Sequence, residues 1–442
     1  MVEQIILLQG KQKQRYCVIG AGAAGICAAK YALQAGGEVV VFEQTDQIGG
    51  TWSYTDAVGK DKYGLDIACS MYDSLWTNLP KEIMGYADYT MPPQRRSYIH
   101  WSEVLQFLRD YARHFEVDKH TRFEHLVSDV RPYGSGQQWQ VRVKDLKGNT
   151  HETLIFDYVL VCNGHYFDPK IPDYEGKDLF KGVQLHSHQY RKPDVLQNRN
   201  VLIIGAGPSG RDLVFAAAEC AKTVYFSHHV PQKLKDAEFP ANVVQVPDVA
   251  RLHEADVEFV DGSRQSVDFI LYCTGYHFNF PFLHKDCGIE LDDDWVRPLY
   301  KQIININYPT MAFIGIPFLV CTTLMFDLQS RFIMKYYSGS RLLPSREEMM
   351  EDFEKEINDR WARGLQKRQA HMMGGEVQRV YYNDVAKTAD IEPIPPVMIN
   401  MHIASHRRKN EDLSGYRNDI FRAVDKENFE VEYVEELANR GK

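Results

Sequence analysis

Two glycine-rich runs carry the residue types that can hold phosphate. In Tyr16-Cys17-Val18-Ile19-Gly20-Ala21-Gly22-Ala23-Ala24-Gly25 a short apolar run feeds a GxGxxG turn, and the alanine-rich stretch from Ala23 to about Ala35 reads as a helix. Gly36-Gly37 ends that helix, and Val39-Val40-Val41-Phe42 reads as a second strand closed by Glu43. The spacing predicts a βαβ unit with an acid about 20 residues beyond the glycines. Gly20 permits the tight turn, Gly22 lets the backbone approach a pyrophosphate, and Gly25 allows the helix to sit close to the strand. The helix N-terminus, with Ala24 in its first turn, offers unpaired N–H groups and a positive dipole end to phosphate. The Glu43 carboxylate can accept both hydroxyls of an adenosine ribose.

The pattern returns at Val201-Leu202-Ile203-Ile204-Gly205-Ala206-Gly207-Pro208-Ser209-Gly210, an offset of 185 residues. Gly205, Gly207 and Gly210 repeat the three glycine roles, and Pro208, Ser209 and Asp212 belong to the helix start. The same offset carries Glu43 onto His228, within Tyr225-Phe226-Ser227-His228-His229. A carboxylate there would repel a 2′-phosphate, whereas a histidine tolerates one and attracts it when protonated. A single GxGxxG is as often an ordinary turn between a buried strand and a helix. Two, each in strand–turn–helix context, point to two dinucleotides, a flavin and a nicotinamide.

The elements that must position these turns follow from the flanking sequence. Each half closes with a similar strand, Phe156-Asp157-Tyr158-Val159-Leu160-Val161-Cys162-Asn163-Gly164 and Val267-Asp268-Phe269-Ile270-Leu271-Tyr272-Cys273-Thr274-Gly275. The expected class is α/β, two nested Rossmann-like units with the second inserted into the first. Residues 1–168 form the first part of the first dinucleotide unit, Pro169 and Pro172 mark a crossover, 173–285 form the second dinucleotide unit, and 286–442 return to complete the first unit and add helices. Within that return, Ser345 to Gly364 reads as a helix, and His406-Arg407-Arg408-Lys409 reads as a solvated loop.

Composition narrows the function. The chain has 442 residues, is 44% hydrophobic and 25% charged, and carries 51 basic against 60 acidic residues, a net charge of −9. That balance lacks the basic footprint of a nucleic-acid binder. The 8 cysteines are scattered with no pair two to four residues apart, which removes a CxxC redox pair and a zinc ribbon and suits a reducing compartment. No metal-ligand pattern stands out. The longest apolar stretch, Met311 to Phe326, is interrupted by Gly315 and Pro317 and falls short of the ~20 residues that span a bilayer. Ile5-Ile6-Leu7-Leu8 is too short for a signal-peptide core, and the C-terminal residues 435–442 hold no apolar anchor. A cytoplasmic protein is therefore expected, a secreted one only if a signal has been removed.

Between the two units stands Phe180-Lys181-Gly182-Val183-Gln184-Leu185-His186-Ser187-His188-Gln189-Tyr190, an FxGxxxHxxxY pattern. It resembles the identifying motif of the flavin-containing monooxygenases. The resemblance continues in Phe42-Glu43 with Ile48-Gly49-Gly50-Thr51-Trp52, and in Leu75-Trp76-Thr77-Asn78-Leu79-Pro80. It extends to Ser209-Gly210-Arg211-Asp212, Thr274-Gly275-Tyr276 and Phe326-Asp327-Leu328-Gln329. It spans about residues 15–365. The resemblance implies FAD held by Gly20, Gly22, Ala24, Gly25, Glu43, Gly50, Thr51, Trp52, Thr77, Asn78, Val127 and Gln329. For NADPH it implies Thr77, Asn78, Gly205, Gly207, Pro208, Ser209, Gly210, Asp212, Ser227, His228, His229, Thr274 and Gly275.

By the same resemblance, NADPH reduces the flavin, O2 adds to give a C4a-hydroperoxyflavin, and a tertiary amine or a sulfide attacks its distal oxygen. Asn78 is the one candidate catalytic side chain, beside both cofactors. Trp52 and Trp76 read equally well as core aromatics and as cofactor contacts. His186 reads as a structural residue of the crossover. The cofactor carries the chemistry, which suits the absence of a Ser/His/Asp or paired-carboxylate pattern. The absence of an anchor is closer to the soluble branch, with its bacterial trimethylamine monooxygenases and insect pyrrolizidine-alkaloid N-oxygenases; homo-oligomers are a family expectation.

One departure concerns the 2′-phosphate. Relatives place an arginine near position 228, where this chain offers His228 and His229, with Lys233 and Lys235 further on. A bidentate grip is missing, so NADH should be tolerated. The runner-up function is a Baeyer–Villiger monooxygenase acting on ketones, which Tyr190 disfavours because those enzymes carry tryptophan there. A disulfide reductase would need the cysteine pair that the spacing denies, and a non-enzymatic FAD scaffold would not need Asn78.

Overall fold

The computed structural model describes residues 13–229 and 237–434. Ile5–Leu8, Lys233, Lys235 and the C-terminal residues 435–442 lie outside the described residues.

Two parallel sheets organise the chain. The first has seven strands in the order Leu299–Tyr300, Ile304–Asn305, Met311–Phe313, Tyr158–Val161, Arg15–Ile19, Glu38–Glu43 and Thr121–Phe123. Five run parallel, from Met311–Phe313 to Thr121–Phe123. The second has five parallel strands in the order Val243–Val246, Thr223–Ser227, Asn200–Ile204, Phe269–Tyr272 and Val183–His186. The strands are apolar on both faces because both faces are covered. In the first sheet Tyr16 and Val18 face one core while Cys17 and Ile19 face another. In the second, Val201 and Ile203 oppose Leu202 and Ile204 in the same way. Met311–Phe313 pairs in register with Val159–Val161, so the apolar stretch read there is a buried strand and turn followed by a helix.

Seven helices are used below: α1 Ala23–Gln34, α2 Trp101–His114, α3 Pro208–Ala218, α4 Thr322–Tyr337, α5 Arg346–Ala362, α6 Gly375–Ala389 and α7 Pro396–Glu411. Helix α5 begins where the sequence placed it, with Ser345 capping and Glu348 returning the bond. The basic run His406–Lys409 corrects the sequence reading. It is the last turn of α7, where Arg408 binds Asp412 at 2.9 Å and the fully buried Asp419 at 2.8 Å. Lys409 is itself buried. Pro395 and Pro396 start this helix, and its long cationic stems cover apolar surface while serving distant carboxylates. No helix among the described residues is long and apolar enough to cross a membrane.

Four histidines are held neutral in the interior. Burial pushes His165, His186 and His402 down to about 4, and His371 to about 3. Nε2 of His371 accepts the Val296 N–H at 2.9 Å, so Nδ1 carries the proton and donates to Gln302 Oε1 at 3.0 Å. A second proton on Nε2 would face an N–H. In the unfolded chain these groups titrate near 6.5. Below that pH the unfolded state binds protons that the folded state refuses, so stability is full above ~6.5 and declines as pH falls towards 4. Each histidine should contribute a slope of up to about 1.4 kcal/mol per pH unit. Urea midpoints measured from pH 7.5 to 4.5 should fall across that window, and a flat profile would contradict the assignment.

Candidate functional site

The two glycine turns are built alike at the level of single bonds. Gly20 and Gly205 have φ of +100° and +103°, and their N–H groups donate to Phe42 O at 2.8 Å and Ser227 O at 2.9 Å. A Cβ at Gly25 would lie 1.8 Å from Gly20 O, and one at Gly210 the same distance from Gly205 O. Only glycine fits where helix and strand come that close. Cys162 N–H donates to Ile19 O and Cys273 N–H to Ile204 O, at 3.0 and 2.8 Å, so the two closing strands carry the same bond beside each turn. Both turns lie at the carboxyl ends of parallel strands, where ligands of such sheets bind.

The helices that follow leave their first amides uncapped. Gly22 and Gly207 stand at the N-caps of α1 and α3, with no side-chain cap and no acid in the first turn. Helices α2 and α5, by contrast, each close their first turn with a capping box. Unfilled donors at a positive dipole end suit a phosphate. Around Gly207 a Cβ would meet nothing within 4 Å, the open cradle a pyrophosphate needs. Around Gly22 the nearest atom is Gly50 Cα at 3.4 Å, so the Gly49-Gly50 segment lies over the first turn.

The predicted flavin contacts gather around that first turn with different roles. The buried Glu43 accepts the Ala21 N–H, the Thr45 N–H and the Thr45 hydroxyl, each at 2.8 Å, so it fastens the turn. Thr51 Oγ1 is 3.0 Å from Ser70 Oγ, and Trp52 is half-buried beside the main core. Ala24 is buried in α1. Val127 turns its side chain into the core shared with Phe42. Gln329 is fully buried; Oε1 accepts the Gly315 N–H at 3.0 Å and Nε2 donates to Tyr381 OH at 2.8 Å. Its side chain is thus committed to holding the Gly315 turn.

At the second turn, Pro208 is exposed and Ser209 half-exposed, while Gly275 continues the closing strand at φ +85°. Thr274 instead donates its hydroxyl inward to Lys170 O, and the Ser227 hydroxyl donates to Pro247 O at 2.8 Å. His228 is buried, its ring tilted 59° against Phe226 at 4.8 Å, and its Nε2 lies 2.9 Å from Gln245 Oε1. Only His229 is open to solvent, and its Nδ1 is 3.2 Å from the Asp248 carboxylate. A carboxylate at this edge disfavours an added phosphate. The ratio of kcat/KM for NADPH over NADH should therefore stay below about tenfold at neutral pH, less than one bidentate arginine confers. Steady-state kinetics with both cofactors checks this, and a large NADPH preference would contradict it.

Asn78 is exposed, with no hydrogen-bond partner among the described residues, at the end of a loop that is itself fixed. Thr77 is buried; its N–H donates to Ile99 O at 2.8 Å and its Oγ1 accepts the Ile99 N–H at 3.1 Å. No local pattern in the sequence signals what anchors this loop from the far side. Arg417 donates to Trp76 O at 3.2 Å and Thr77 O at 3.1 Å, and pairs with Asp212 of α3 at 2.6 Å. Tyr72 OH donates to the other Asp212 oxygen. Asp212 thereby joins the second turn to the Asn78 loop through a residue 205 positions away. Trp76 is half-buried, meets His100 edge to face and lies under Arg96.

The crossover motif is structural where it can be followed. Nδ1 of the buried His186 accepts the His188 N–H at 3.1 Å. The adjacent Arg191, also buried, donates to the carbonyls of Thr55, Cys69, His188 and Tyr190, tying the crossover to the 55–69 loop. Tyr190 is buried against Tyr72.

Residues 13–247 and 230–404 match the family described as flavin-binding monooxygenase-like. The chain is 30% identical to senecionine N-oxygenase of Tyria jacobaeae over 96% of its own length and 93% of that protein. It is 36% identical to the flavin-containing monooxygenase FMO GS-OX3 of Arabidopsis thaliana, covering 85% and 84%. Among solved structures, S-allyl-L-cysteine S-oxygenase from Allium sativum superposes with a TM-score of 0.85 at 33% identity, covering 92% of this chain and 95% of that one.

Proposed function

The chain belongs to the flavin-binding monooxygenase-like family, and from that premise we propose that it is an NADPH- and O2-dependent flavin monooxygenase that oxygenates a tertiary amine nitrogen or a thioether sulfur. The observation that carries the reading is the pair of matching, uncapped glycine turns in one chain, the second tied through Asp212 and Arg417 to the loop that presents Asn78. FAD would lie on the first turn, with Glu43 at its ribose, and the nicotinamide dinucleotide on the second. Bound flavin supplies the redox chemistry: reduced by the nicotinamide, it activates O2 for transfer of one oxygen atom to a soft nucleophile.

The chain's own residues orient and enclose. Asn78 can donate and accept hydrogen bonds at once, which suits a side chain lying between two cofactors. A tertiary amine or thioether already exposes its lone pair, so no general base is required, and none of the buried histidines near the crossover is needed as one. A dithiol mechanism has no support in the cysteines, which are all free, with burial raising the thiols of Cys17, Cys162, Cys273, Cys287 and Cys321. The Baeyer–Villiger alternative is less favoured: cyclohexanone monooxygenase shares the fold at a TM-score of 0.62 and only 15% identity, whereas relatives at 30% and 33% identity are named as an N-oxygenase and an S-oxygenase.

The test uses purified FAD-loaded protein. NADPH should bleach the flavin without oxygen, and under 18O2 one labelled atom should appear in the N-oxide of a tertiary amine or the sulfoxide of a thioether. Failure of NADPH to reduce the flavin, or ester formation from a cyclic ketone in place of these products, would overturn the reading.

A further inference from the structure

The first turn of α3 is tied to the end of α7 through Arg211. Nε of Arg211 donates to Ala206 O at 3.0 Å and Nη1 to Asn410 Oδ1 at 2.6 Å, which draws the guanidinium against the glycine turn and ties it to α7. Lys409 precedes Asn410. It is 7% exposed, its Nζ lies 5.7 Å from the centre of the Tyr416 ring, and it makes no hydrogen bond or ion pair among the described residues. Asp212, the carboxylate that acts on Lys409, is already engaged by Arg417 and Tyr72. His406 stands one turn earlier on α7, and both Lys409 and Arg211 act on it.

Cations are thus gathered without a matching anion. Burial first, then Arg417 and more weakly Arg211, depress Lys409 to about 8, against an opposing pull from Asp212 that is weaker than that of Arg417 and stronger than that of Arg211. An ammonium shut away beside two guanidiniums is costly unless something negative completes it. The N-terminus of α3 adds its own positive end, with no acid in the first turn.

We propose that Lys409 and Arg211 form, with the first turn of α3, a subsite for the pyrophosphate of the nicotinamide dinucleotide, so that the C-terminal helix supplies the outer wall of that site. The proposal rests on reading α3 as the nicotinamide turn. It assigns the pyrophosphate and not the 2′-phosphate, because Lys409 neighbours Arg211 and Asp212 at the helix start, whereas the ribose edge carries His228, His229 and Asp248. Both NADP⁺ and NAD⁺ carry the pyrophosphate; only NADP⁺ carries the 2′-phosphate.

Calorimetric titration of FAD-loaded protein with NADP⁺ and with NAD⁺ separates the outcomes. Lys409→Met keeps the apolar stem and removes the charge. It should weaken both dinucleotides about tenfold, the scale of one charge-assisted hydrogen bond, and leave the FAD content unchanged. Arg211→Gln, at a half-exposed position where glutamine can still reach Asn410, should weaken both as well. Unchanged affinity in both variants would overturn the proposal, and so would a loss confined to NADP⁺. Wild-type protein that holds FAD yet binds neither dinucleotide would overturn the reading of α3 itself, and the subsite with it.

Discussion

Asn78→Ala should uncouple the enzyme, lowering the N-oxide formed per NADPH oxidised about tenfold while hydrogen peroxide release rises to match. The amide projects from a loop whose backbone is fixed by Ile99 on one side and Arg417 on the other, so truncation removes the donor and acceptor without loosening their support. Loss of one well-placed hydrogen bond in a site that excludes water is worth about a factor of ten. Because Asn78 is exposed and has no partner among the described residues, the variant should keep its FAD and its urea midpoint. Asn78→Asp retains an acceptor and loses the donor, and should fall between the two. Product, peroxide and NADPH measured on the same sample decide the matter; an unchanged ratio of product to NADPH would remove Asn78 from the site.

The second large effect is expected at Arg417. Its side chain and that of Asp212 are 27% and 19% exposed, so the pair is largely withdrawn from water. Arg417→Met leaves Asp212 charged with Tyr72 as its hydrogen-bond donor, and leaves the Trp76 and Thr77 carbonyls without theirs. Breaking one side of a mostly buried pair should cost about 3 kcal/mol. Removing both charges, in Arg417→Met with Asp212→Asn, should cost clearly less than the sum of the single changes. Urea denaturation of the four proteins provides the cycle, and additive costs would mean that the pair is not coupled. The single variant should also raise peroxide release, because the loop that presents Asn78 loses its anchor. That second readout separates positioning from stability.

Much of the fold could be read from Gly20, Gly25, Gly205 and Gly210. Their spacing reflects a steric demand, and the structure meets it with the same φ and the same 1.8 Å approach in both turns. Strands buried on both faces advertise themselves as apolar runs. Arg417 and Lys409 could not be read in this way. Each acts on a partner about 200 positions away, and local periodicity holds no record of a contact closed by the tertiary fold. The misreading of His406–Lys409 has the same origin. A run of cations looks solvated until the carboxylates that meet it, Asp412 and the buried Asp419, are placed in space. Gln329 shows the converse, since a residue expected to face the flavin spends both ends of its amide on Gly315 and Tyr381.

The pairing of Met311–Phe313 with Val159–Val161 also sets a timetable for the ribosome. The strand Tyr158–Val161 is synthesised about 150 residues before the one that covers its free edge, and the whole second sheet is made in between. At ordinary translation speeds that interval lasts about 10–30 s. Throughout it the nascent chain carries an apolar strand with an open edge, a template for pairing with any neighbouring chain. Premature termination between residues 273 and 310 therefore leaves a protein that can finish its inserted sheet but not the first sheet, and earlier termination leaves both unfinished. Such fragments belong to the chaperones and proteases, while the full-length chain escapes them only when its last third arrives.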